Sequence, residues 1–515
     1  MNSDIVKKLE EKRQAALAMG GEASVAKHRA KNRLNVRERL NVLFDAGSFL
    51  EYGLHADHAE VSTELHGKHA AADGVVTGVG RVNGRDVFCI AYDFTVLAGT
   101  MGRTGEAKCA RIRELVLKHR KPIVWLIDSA GARVQELGGS FFSTTGYLFR
   151  EQAVLSGVVP QVSVVLGPGA AGTAYIPALS DCVIMVRNQG VLALGGPLLV
   201  EAVIGEKISE QDLGGADVHL IKSGVAHMGA QNDEEALHLT RRYLSFFPSS
   251  SADLPLRIPS IHSARASDEL LKILPDDSSA FDMNEVLAQI VDPQSVLPFM
   301  PDFGKSLITC LARIGGYSVG IVASQSNHLG GVLENDSSDK GARFVQICDA
   351  FNIPLVFFQD VPGFLVGSRV ERAGIIRHGA RLLYAVSNAT VPKFTIVVRK
   401  AYGAGYYVMC GRGYEPDYIA VWPRGEIALM GAEGAVNILY ANKLKSMQPE
   451  EAAKLRRELE DAYRNEVSPE RAAALFGVDE ILDPRDTGPV LERLLDLTAG
   501  KRVLRPERKH GIFPV

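Results

Sequence analysis

The sequence predicts an α/β protein in which one fold occurs twice. Short apolar runs alternate with helical stretches, which is typical of buried strands in an α/β layer. The same residues then return at a fixed spacing, since Arg81 recurs as Arg313 and Gly84 as Gly316, 232 positions later. Glycine clusters follow the predicted strands in both halves, which places candidate binding turns at equivalent positions.

The composition is that of an ordinary globular protein. The chain has 515 residues, of which 46% are hydrophobic and 23% charged, so length alone predicts two to four domains. A formal net charge of -3 without a long basic run argues against nucleic acid or a membrane surface as the main partner. No apolar stretch of about 20 residues predicts a membrane span. The acidic residues Asp4, Glu10 and Glu11 disfavour a transit peptide, so we expect a cytoplasmic protein without a membrane span.

The first elements are expected to be helical. Residues 3–45 predict two charged amphipathic helices, in which Val36, Leu40 and Leu43 lie on one face. This pattern favours a packing arm over a binding role. From Gly74 onward the apolar runs VVTGVGRV, DVFCIAYDF, PIVWLID, QVSVVLG and CVIMV predict buried and mostly parallel strands.

The repeat sets the domain organisation. After a short insertion the spacing becomes 235, because Gly190 meets Gly425 and Gly196 meets Gly431. Residues 246–260 are rich in proline and serine and lack periodicity, which indicates a linker. We therefore expect two domains, 1–258 and 259–515.

Two glycine-rich turns are the strongest candidates for chemistry. Gly169 to Gly172 follow the predicted strand QVSVVLG, and Gly403, Ala404 and Gly405 follow FTIVVRKAY in the second half. Small residues allow a ligand to approach the backbone, and free N–H groups favour developing negative charge. A single turn of this kind equally suits tight helix packing, but two at matching places favour two oxyanion sites. No phosphate loop, HExxH or GxSxG occurs, and no CxxC pair predicts a zinc site, so we expect no metal on this chain.

These residues resemble the carboxyltransferase β subunits of the biotin-dependent acyl-CoA carboxylases that act on propionyl-CoA and methylcrotonyl-CoA. The resemblance covers nearly the whole chain and rests on KNRLNVRERLNVLFDAGSFLE, DGVVTGVGRVNGRDVF, DSAGARVQE, GPGAAGTAYIPALSD, DLGGADVH, SSDKGARFVQICDAFNIPLVFFQDVPGFLVG, RHGARLLYAVSNATVPKFTIVVRKAYGAGYYVMCGR and IALMGAEGAVNILY.

The resemblance implies two tandem crotonase-like domains of the ClpP/crotonase superfamily, related by internal duplication. It implies an acyl-CoA side on residues 1–258 and a carboxybiotin side on 259–515, with each active site between domains of two subunits. The amides of Ala171 and Gly172 would stabilise a thioester enolate, and those of Ala404 and Gly405 would face the biotin ureido oxygen. Biotin itself would act as the base.

Further residues follow from the same resemblance. The substrate and CoA side would include Gly169, Ala170, Tyr175, Lys108 and Arg111. The biotin side and the acyl pocket would include Gly403, Tyr406, Tyr407, Gly363 and Phe364. For Lys108 and Arg111, helix capping or intersubunit pairing stays an alternative to CoA contact. Asp128 and Asp360 end equivalent strands, which favours a structural role.

One departure from the family pattern concerns the acyl group. Tyr407 stands where propionyl-type enzymes have an aspartate, and the Gly-Ala-Gly order of residues 403–405 is closer to the methylcrotonyl, geranyl and glutaconyl branch. A bulky or unsaturated acyl group fits this pattern. A propionyl or longer saturated chain stays open, as does a packing role for Tyr407.

The partners are implied by what the sequence lacks. No Ala-Met-Lys-Met biotin-attachment sequence and no ATP-binding half occur, so a biotin carboxylase and a biotin carboxyl carrier subunit are the expected partners. The resemblance also implies a homo-oligomer, usually a hexamer, with a coenzyme A thioester as substrate. A biotin-linked decarboxylase or transcarboxylase, as for glutaconyl-CoA, is the nearest alternative. A crotonase-type hydratase would need a glutamate pair that GPGAAGTAYIPALSD lacks, and a silent scaffold would not need two open turns.

Overall fold

The two halves of the chain form separate compact units. The computed structural model describes residues 3–59, 61–260 and 267–514. The chain divides into Met1–Asp253 and Leu254–Val515, and each unit contains one sheet with helices packed on it. The predicted α/β class is therefore confirmed.

The first unit is built on a sheet that is antiparallel at one side and parallel in its centre. In the described part of the unit this sheet has eight strands, β1 Leu50–Tyr52, β2 Val75–Val82, β3 Arg85–Tyr92, β4 Ile123–Ser129, β5 Gln161–Ala170, β6 Cys182–Val186, β7 Val191–Ala193 and β8 Met228–Ala230. The order is β1-β2-β3-β4-β5-β6-β8, and β7 pairs with the end of β5. Strands β1 to β3 pair antiparallel, and β3 to β6 pair parallel as their continuous apolar runs predict.

The second unit repeats this sheet. Its strands, counted over the residues that the structure describes, are β9 Leu297–Phe299, β10 Leu307–Ile314, β11 Tyr317–Ser324, β12 Leu355–Val361, β13 Lys393–Tyr402, β14 Tyr418–Val421, β15 Glu426–Ala428 and β16 Glu480–Ile481. The order β9-β10-β11-β12-β13-β14-β16, with β15 paired to β13, matches the first sheet strand for strand. Strands β5 and β13 begin and end 232 residues apart, so the duplication seen in the sequence is present in the fold.

Helices connect the strands and cover the sheets. The described α-helices are α1 Ser3–Leu17, α2 Glu22–Arg29, α3 Val36–Leu43, α4 Arg103–His119, α5 Val134–Leu137, α6 Tyr147–Leu155, α7 Gly172–Ala178, α8 Pro197–Ile204, α9 Glu210–Gly214, α10 Asp233–Phe246, α11 Leu270–Ile273, α12 Met283–Ile290, α13 Asn335–Ala350, α14 Ser368–Arg372, α15 Ile375–Asn388, α16 Gly403–Val408, α17 Ala432–Leu439, α18 Ala441–Lys445, α19 Pro449–Glu466, α20 Pro469–Ala474 and α21 Thr487–Thr498. No helix in the described ranges is both long and apolar enough to cross a membrane.

The N-terminal segment differs from the expectation, because it forms three helices instead of two. Gly20 and Gly21 separate α1 from α2, and Asn35 begins α3 through a capping box with Glu38. Val36, Leu40 and Leu43 are buried on one face of α3, as their spacing predicts.

The sheets position the candidate turns. All seven residues of β4 and of β12 are buried, and burial of each large apolar side chain contributes roughly 1.5–3 kcal/mol. Because β3, β4 and β5 run parallel, their carboxyl ends meet at one edge of the sheet. The turn that follows β5 lies at this edge, and the turn that follows β13 lies at the same edge of the second sheet.

Candidate functional site

The first glycine-rich turn joins β5 to α7. Ala171 lies between the two elements with φ 51° and ψ −120°, a conformation that is costly for a residue with a Cβ. Its N–H donates to the carbonyl oxygen of Ala193 in β7 at 3.1 Å. The Ala171 amide is therefore used by the fold, and in this conformation it is not available to an oxyanion.

The next amide in the chain is open. No group in the described residues accepts a hydrogen bond from the N–H of Gly172, the first residue of α7. A Cβ built on Gly172 would lie 3.6 Å from the Phe149 ring and 3.7 Å from Met101 Cε, so the space beside it is bounded but not filled. Gly172 is half-buried. This N–H can stabilise negative charge on a bound oxygen atom.

A second open amide lies beside this turn, at Ala132. Met101 N–H donates to Gly131 O at 2.9 Å, and Arg133 N–H donates to Met101 O at 2.9 Å. Because these bonds lie on one side of the segment, the N–H of Ala132 points to the other side. No described group accepts it. A Cβ on Gly131 would be 3.0 Å from Ala170 O, so the segment packs directly against the turn after β5.

Sequence reasoning did not single out Ala132, although it lies within DSAGARVQE, one of the segments that carry the family resemblance. The 232-residue spacing gives a signal, because it places Phe364 at the equivalent position. Leu333 N–H donates to Gly363 O at 3.0 Å, and Leu365 N–H donates to Leu333 O at 2.8 Å. The N–H of Phe364 is thus turned away from Leu333 in the same manner, without an acceptor among the described groups.

The second turn joins β13 to α16. The equivalents of Ala171 and Gly172 are Gly403 and Ala404, and Gly403 has φ 55°, close to the 51° of Ala171. The N–H groups of Gly403 and Ala404 meet no acceptor in the described residues. The amide that matches Gly172 is therefore that of Ala404.

Gly405, which was expected to share the oxyanion role with Ala404, lies at a close contact between α16 and the segment after β12. A Cβ on Gly405 would lie 2.8 Å from Val361 Cγ2 and 3.1 Å from Gly363 Cα. Its lack of a side chain lets α16 approach the segment after β12. Gly169 has a similar role in the first unit, where a Cβ would lie 2.7 Å from Leu192 Cδ2. Ala170 ends β5, and its carbonyl accepts a bond from the Thr173 hydroxyl at 2.8 Å.

Aromatic side chains flank both turns. Tyr175 is 48% exposed, and its ring meets that of Phe149 edge to face at 5.8 Å. In the second unit the hydroxyl of Tyr406 accepts a bond from Arg412 N–H at 2.9 Å. Tyr407 is 50% exposed, with its ring 5.8 Å from that of Tyr406, so it is not a core packing residue within this unit.

The two charged candidates for CoA contact differ in burial. Lys108 is 9% exposed, and its ammonium donates to the carbonyls of Ala72 at 2.7 Å and Val75 at 2.5 Å. Burial lowers its pKa to about 8. This placement favours the structural alternative for Lys108, and its proposed contact with CoA stays a prediction. Arg111 is exposed and pairs with Glu114 at 2.6 Å, so its proposed contact stays a prediction.

The carboxylates at the strand ends are held by arginines. Asp128 is fully buried at the end of β4 and accepts from Arg39 at 2.8 Å. Asp360 ends β12 and accepts from Arg399 at 2.8 Å. These buried ion pairs agree with the structural role that the sequence favoured. In the described residues no group of three or more His, Cys, Asp or Glu side chains could hold a metal ion.

Comparison with known proteins gives one consistent result. A family model described as "Carboxyl transferase domain" matches residues 27–513. The propionyl-CoA carboxylase carboxyltransferase subunit of Haloferax mediterranei is 41% identical over 99% of both chains. The methylmalonyl-CoA decarboxylase subunit alpha of Veillonella parvula is also 41% identical, over 98% of both chains.

A solved structure agrees with these relatives. The chain matches a transcarboxylase 12S structure with a TM-score of 0.95 and 40% identity, covering 100% of this chain and 99% of the other. That transcarboxylase forms a hexamer assembly, and its structure contains bound methylmalonyl-coenzyme A. The two-unit architecture is accordingly the crotonase-like fold that the resemblance implied.

Proposed function

The chain belongs to the carboxyl transferase family, and from this premise we propose that it moves a carboxyl group between carboxybiotin on a partner chain and the α, or vinylogous γ, carbon of an acyl-CoA. It is an enzyme subunit of the acyl-CoA carboxyltransferase and transcarboxylase class. The finer assignment rests on the open amides at the two turns.

The pair of open N–H groups on Ala132 and Gly172 carries the proposal for the first unit. Removing a proton next to a thioester carbonyl places negative charge on the carbonyl oxygen. An N–H that is already oriented toward this oxygen stabilises the charge without reorganisation, and one such donor typically contributes about 10²–10³ in rate. Because both groups are main-chain amides at the edge of the sheet, the stabilisation that they provide needs no side-chain acid.

The second turn suits an acceptor such as the ureido oxygen of biotin. The N–H groups of Ala404 and Phe364 meet no acceptor in the described residues, and Ala404 is exposed. Gly403 adds a third open amide, and Tyr406 and Tyr407 lie immediately after it in α16. When bound, carboxybiotin would supply the carboxyl group and, after its loss, a basic ureido nitrogen. The contribution of this chain is to hold the ureido oxygen with its amides.

The surrounding carboxylates support a mechanism without a side-chain base. Asp128 and Asp360 end the strands next to the two turns, but each is buried against an arginine. Protonation of either carboxylate would break its buried ion pair with arginine, so neither carboxylate is a suitable base. The two turns thus provide hydrogen-bond donors, and we propose that the proton acceptor comes with the second substrate.

We extend the proposal to the assembly and its location. A biotin carboxylase with a biotin carboxyl carrier is the proposed partner, the homo-oligomer is proposed to be a hexamer, and the location cytoplasmic. The hexamer of the transcarboxylase 12S relative, at 40% identity over the whole chain, supports the oligomer. We propose residues 1–258 as the acyl-CoA side and 259–515 as the carboxybiotin side.

The acyl group and the direction of transfer are separate questions. Several full-length relatives carry names with propionyl-CoA or methylmalonyl-CoA, which supports a short acyl group over the bulky one that Tyr407 favoured. A decarboxylase relative is as similar as a carboxylase one, at 41% identity each. Decarboxylation of a methylmalonyl-type thioester is therefore the second candidate, using the same amides in reverse.

The deciding experiment follows a labelled carboxyl group. The purified chain is mixed with a carrier that bears ¹⁴C-carboxybiotin and, in separate reactions, with acetyl-, propionyl-, butyryl- and methylcrotonyl-CoA. We expect label in at least one acyl-CoA, with propionyl-CoA labelled fastest. Crotonyl-CoA hydration is assayed in parallel. If no thioester gains label while hydration proceeds, the carboxyl-transfer proposal is refuted.

A further inference from the structure

A cleft opens in the second unit at the edge of the sheet where the parallel strands begin. It has a volume of about 390 Å³, which is within the usual size of a site for a small organic molecule. All of its lining residues lie within Leu254–Val515. We call it the strand-start cleft. Because β13 has ten residues, at about 3.3 Å each, the cleft lies roughly 30 Å from the turn that follows this strand.

The floor of the cleft follows the strands in their order in the sheet. The carbonyl of Pro354, just before β12, accepts a bond from β11 at 2.8 Å, and the carbonyl of Pro392, just before β13, accepts one from β12 at 2.9 Å. Asp417, just before β14, donates its N–H to Lys393 O at 2.7 Å. Neighbouring strands are about 4.8 Å apart, so the start of β11 and the start of β14 are roughly 14 Å apart. The floor is therefore elongated.

The walls of the cleft are largely apolar. They come from the end of α21, from the C-terminal segment 499–504 and from the first residues of the unit. Two of these apolar side chains are unusually open to water, because Leu254 is 61% and Leu504 97% exposed. A hydrocarbon chain in the cleft would cover both, which favours its binding.

One end of the cleft offers a positive charge. Arg502 is exposed and lines the cleft, whose lining contains no carboxylate. The neighbouring cations are already paired, Lys501 with Asp417 at 2.7 Å and Arg505 with Glu415 at 2.9 Å. Among the residues that the structure describes, no carboxylate pairs with Arg502. Its guanidinium suits a ligand carboxylate, which it can bind through two parallel hydrogen bonds.

The other end contains a buried hydroxyl group without a partner. Ser318 lies in β11 and is 3% exposed, and its Oγ has no hydrogen-bond partner in the described part of the chain. Buried polar groups normally have a partner, and one without it costs stability. Ser318 lines the cleft, so an oxygen atom of a bound molecule can supply this partner.

We propose that the strand-start cleft binds a linear medium-chain carboxylate, with the carboxylate on Arg502, the hydrocarbon chain along the strand starts and a polar group at the far end on Ser318. An extended chain of roughly eight carbons, with a hydrogen bond of about 2.9 Å at each end, covers the distance between β11 and β14. The separation from the turn after β13 makes this molecule an effector and not a reactant at that turn.

The first test compares ligands that differ in one end group. Binding of 8-hydroxyoctanoate and of 1,8-octanediol, which lacks the carboxylate, to the full chain is measured by titration calorimetry. R502E reverses the exposed charge in the cleft, and R493E reverses an exposed arginine of α21 outside it. We expect 8-hydroxyoctanoate to bind at least tenfold more tightly than the diol. R502E should raise its Kd at least tenfold, whereas R493E should leave it within twofold.

The second test examines the far end and the space of the cleft. Octanoate lacks the far hydroxyl, so the unmodified chain should prefer 8-hydroxyoctanoate at least threefold, and S318A should remove this preference. A499W places a large ring at an exposed position of the lining, and L497W places one at an exposed position of α21 outside it. A499W should raise the Kd of 8-hydroxyoctanoate at least tenfold, and L497W should not change it.

Each other result would overturn the assignment. Absence of binding to the unmodified chain, or equal Kd values in R502E and R493E with an unchanged Tm, would exclude the proposed ligand. A preference that survives in S318A would exclude the contact with this hydroxyl. If A499W shifts the sedimentation coefficient and no carboxylate binds, the cleft is a contact surface for a second copy of the chain. All of these measurements are independent of the proposed carboxyl transfer.

Discussion

Ala171, one residue beyond the end of β5, donates its N–H to the carbonyl oxygen of Ala193 at 3.1 Å. This bond continues the pairing of β5 with β7, in which Ala170 is opposite Ala193. Gly172 consequently carries the first amide of the turn that is open to a ligand. Two neighbouring amides in one glycine-rich turn thus differ, because one is bonded within the fold and the other has no acceptor among the described residues.

Replacing Gly172 by proline tests the proposed catalytic role of its amide directly. Gly172 is the first residue of α7, a position at which proline is tolerated because its missing N–H has no helical partner. We expect G172P to lower kcat for carboxyl transfer by about 10²–10³, the usual effect of losing one oxyanion donor. Steady-state label transfer to propionyl-CoA measures this change.

Gly172→Ala is the matched control, because alanine keeps the N–H. Its Cβ would meet Phe149 and Met101 at 3.6 and 3.7 Å, which are ordinary contacts. G172A should stay within about tenfold of the unmodified kcat. Thermal unfolding verifies that the G172P variant, in which Ala171 precedes the new proline, still folds. Equal kcat values for a folded G172P and G172A would contradict a role for this amide.

Replacing Ala171 by glycine should stabilise the folded protein. Its φ of 51° with ψ −120° costs about 1–3 kcal/mol for a residue with a Cβ, and glycine adopts it freely. The greater freedom of glycine in the unfolded chain offsets about 0.4–1 kcal/mol. We therefore expect A171G to raise the free energy of unfolding by about 1 kcal/mol, measured by urea denaturation.

The second unit supplies the reciprocal variant. Gly403 has φ 55° at the equivalent position, and a Cβ there would lie 3.1 Å from Leu429 O. G403A should destabilise the protein, because it adds a Cβ at a positive φ, whereas A171G removes one. A stabilising G403A would show that these backbone angles carry no strain.

The sequence was sufficient to predict the strands and the duplication, because apolar runs such as PIVWLID are buried from end to end as β4. It was also sufficient to locate both turns. It could not predict that Ala171 is bonded, since its partner Ala193 lies in the short strand β7, whose pairing with β5 depends on the tertiary fold. The burial of Lys108 was hidden for a related reason, because its acceptors Ala72 and Val75 are more than 30 residues away in the chain.

Arg39 joins two buried carboxylates and should be essential for stability. It bonds Asp128 and Asp233, both at 2.8 Å, and all three side chains are at most 2% exposed. Arg39→Met would leave two carboxylates without their shared cation, which typically costs about 3–5 kcal/mol. We expect a corresponding loss in the free energy of unfolding by urea. Arg111→Met removes an exposed pair with Glu114 and should change it by less than about 1 kcal/mol. Equal effects of the two variants would contradict this ranking.

The buried Lys340 should make the free energy of unfolding depend on pH in the alkaline range. It is the equivalent of Lys108, is 2% exposed, and donates to the Phe303 carbonyl at 2.9 Å. Burial lowers its pKa from the ordinary 10.5 to about 7. Between these two pH values the unfolded chain binds a proton on this side chain that the folded chain has released. The free energy of unfolding therefore receives a contribution that rises with pH across this window, with a slope of up to about 1.4 kcal/mol per pH unit.

Urea denaturation at pH 7.5, 8.5 and 9.5 should show that K340M removes this contribution, whereas K118M, at an exposed lysine, retains it. An identical pH dependence in K340M and the unmodified chain would mean that Lys340 keeps its proton in the folded protein.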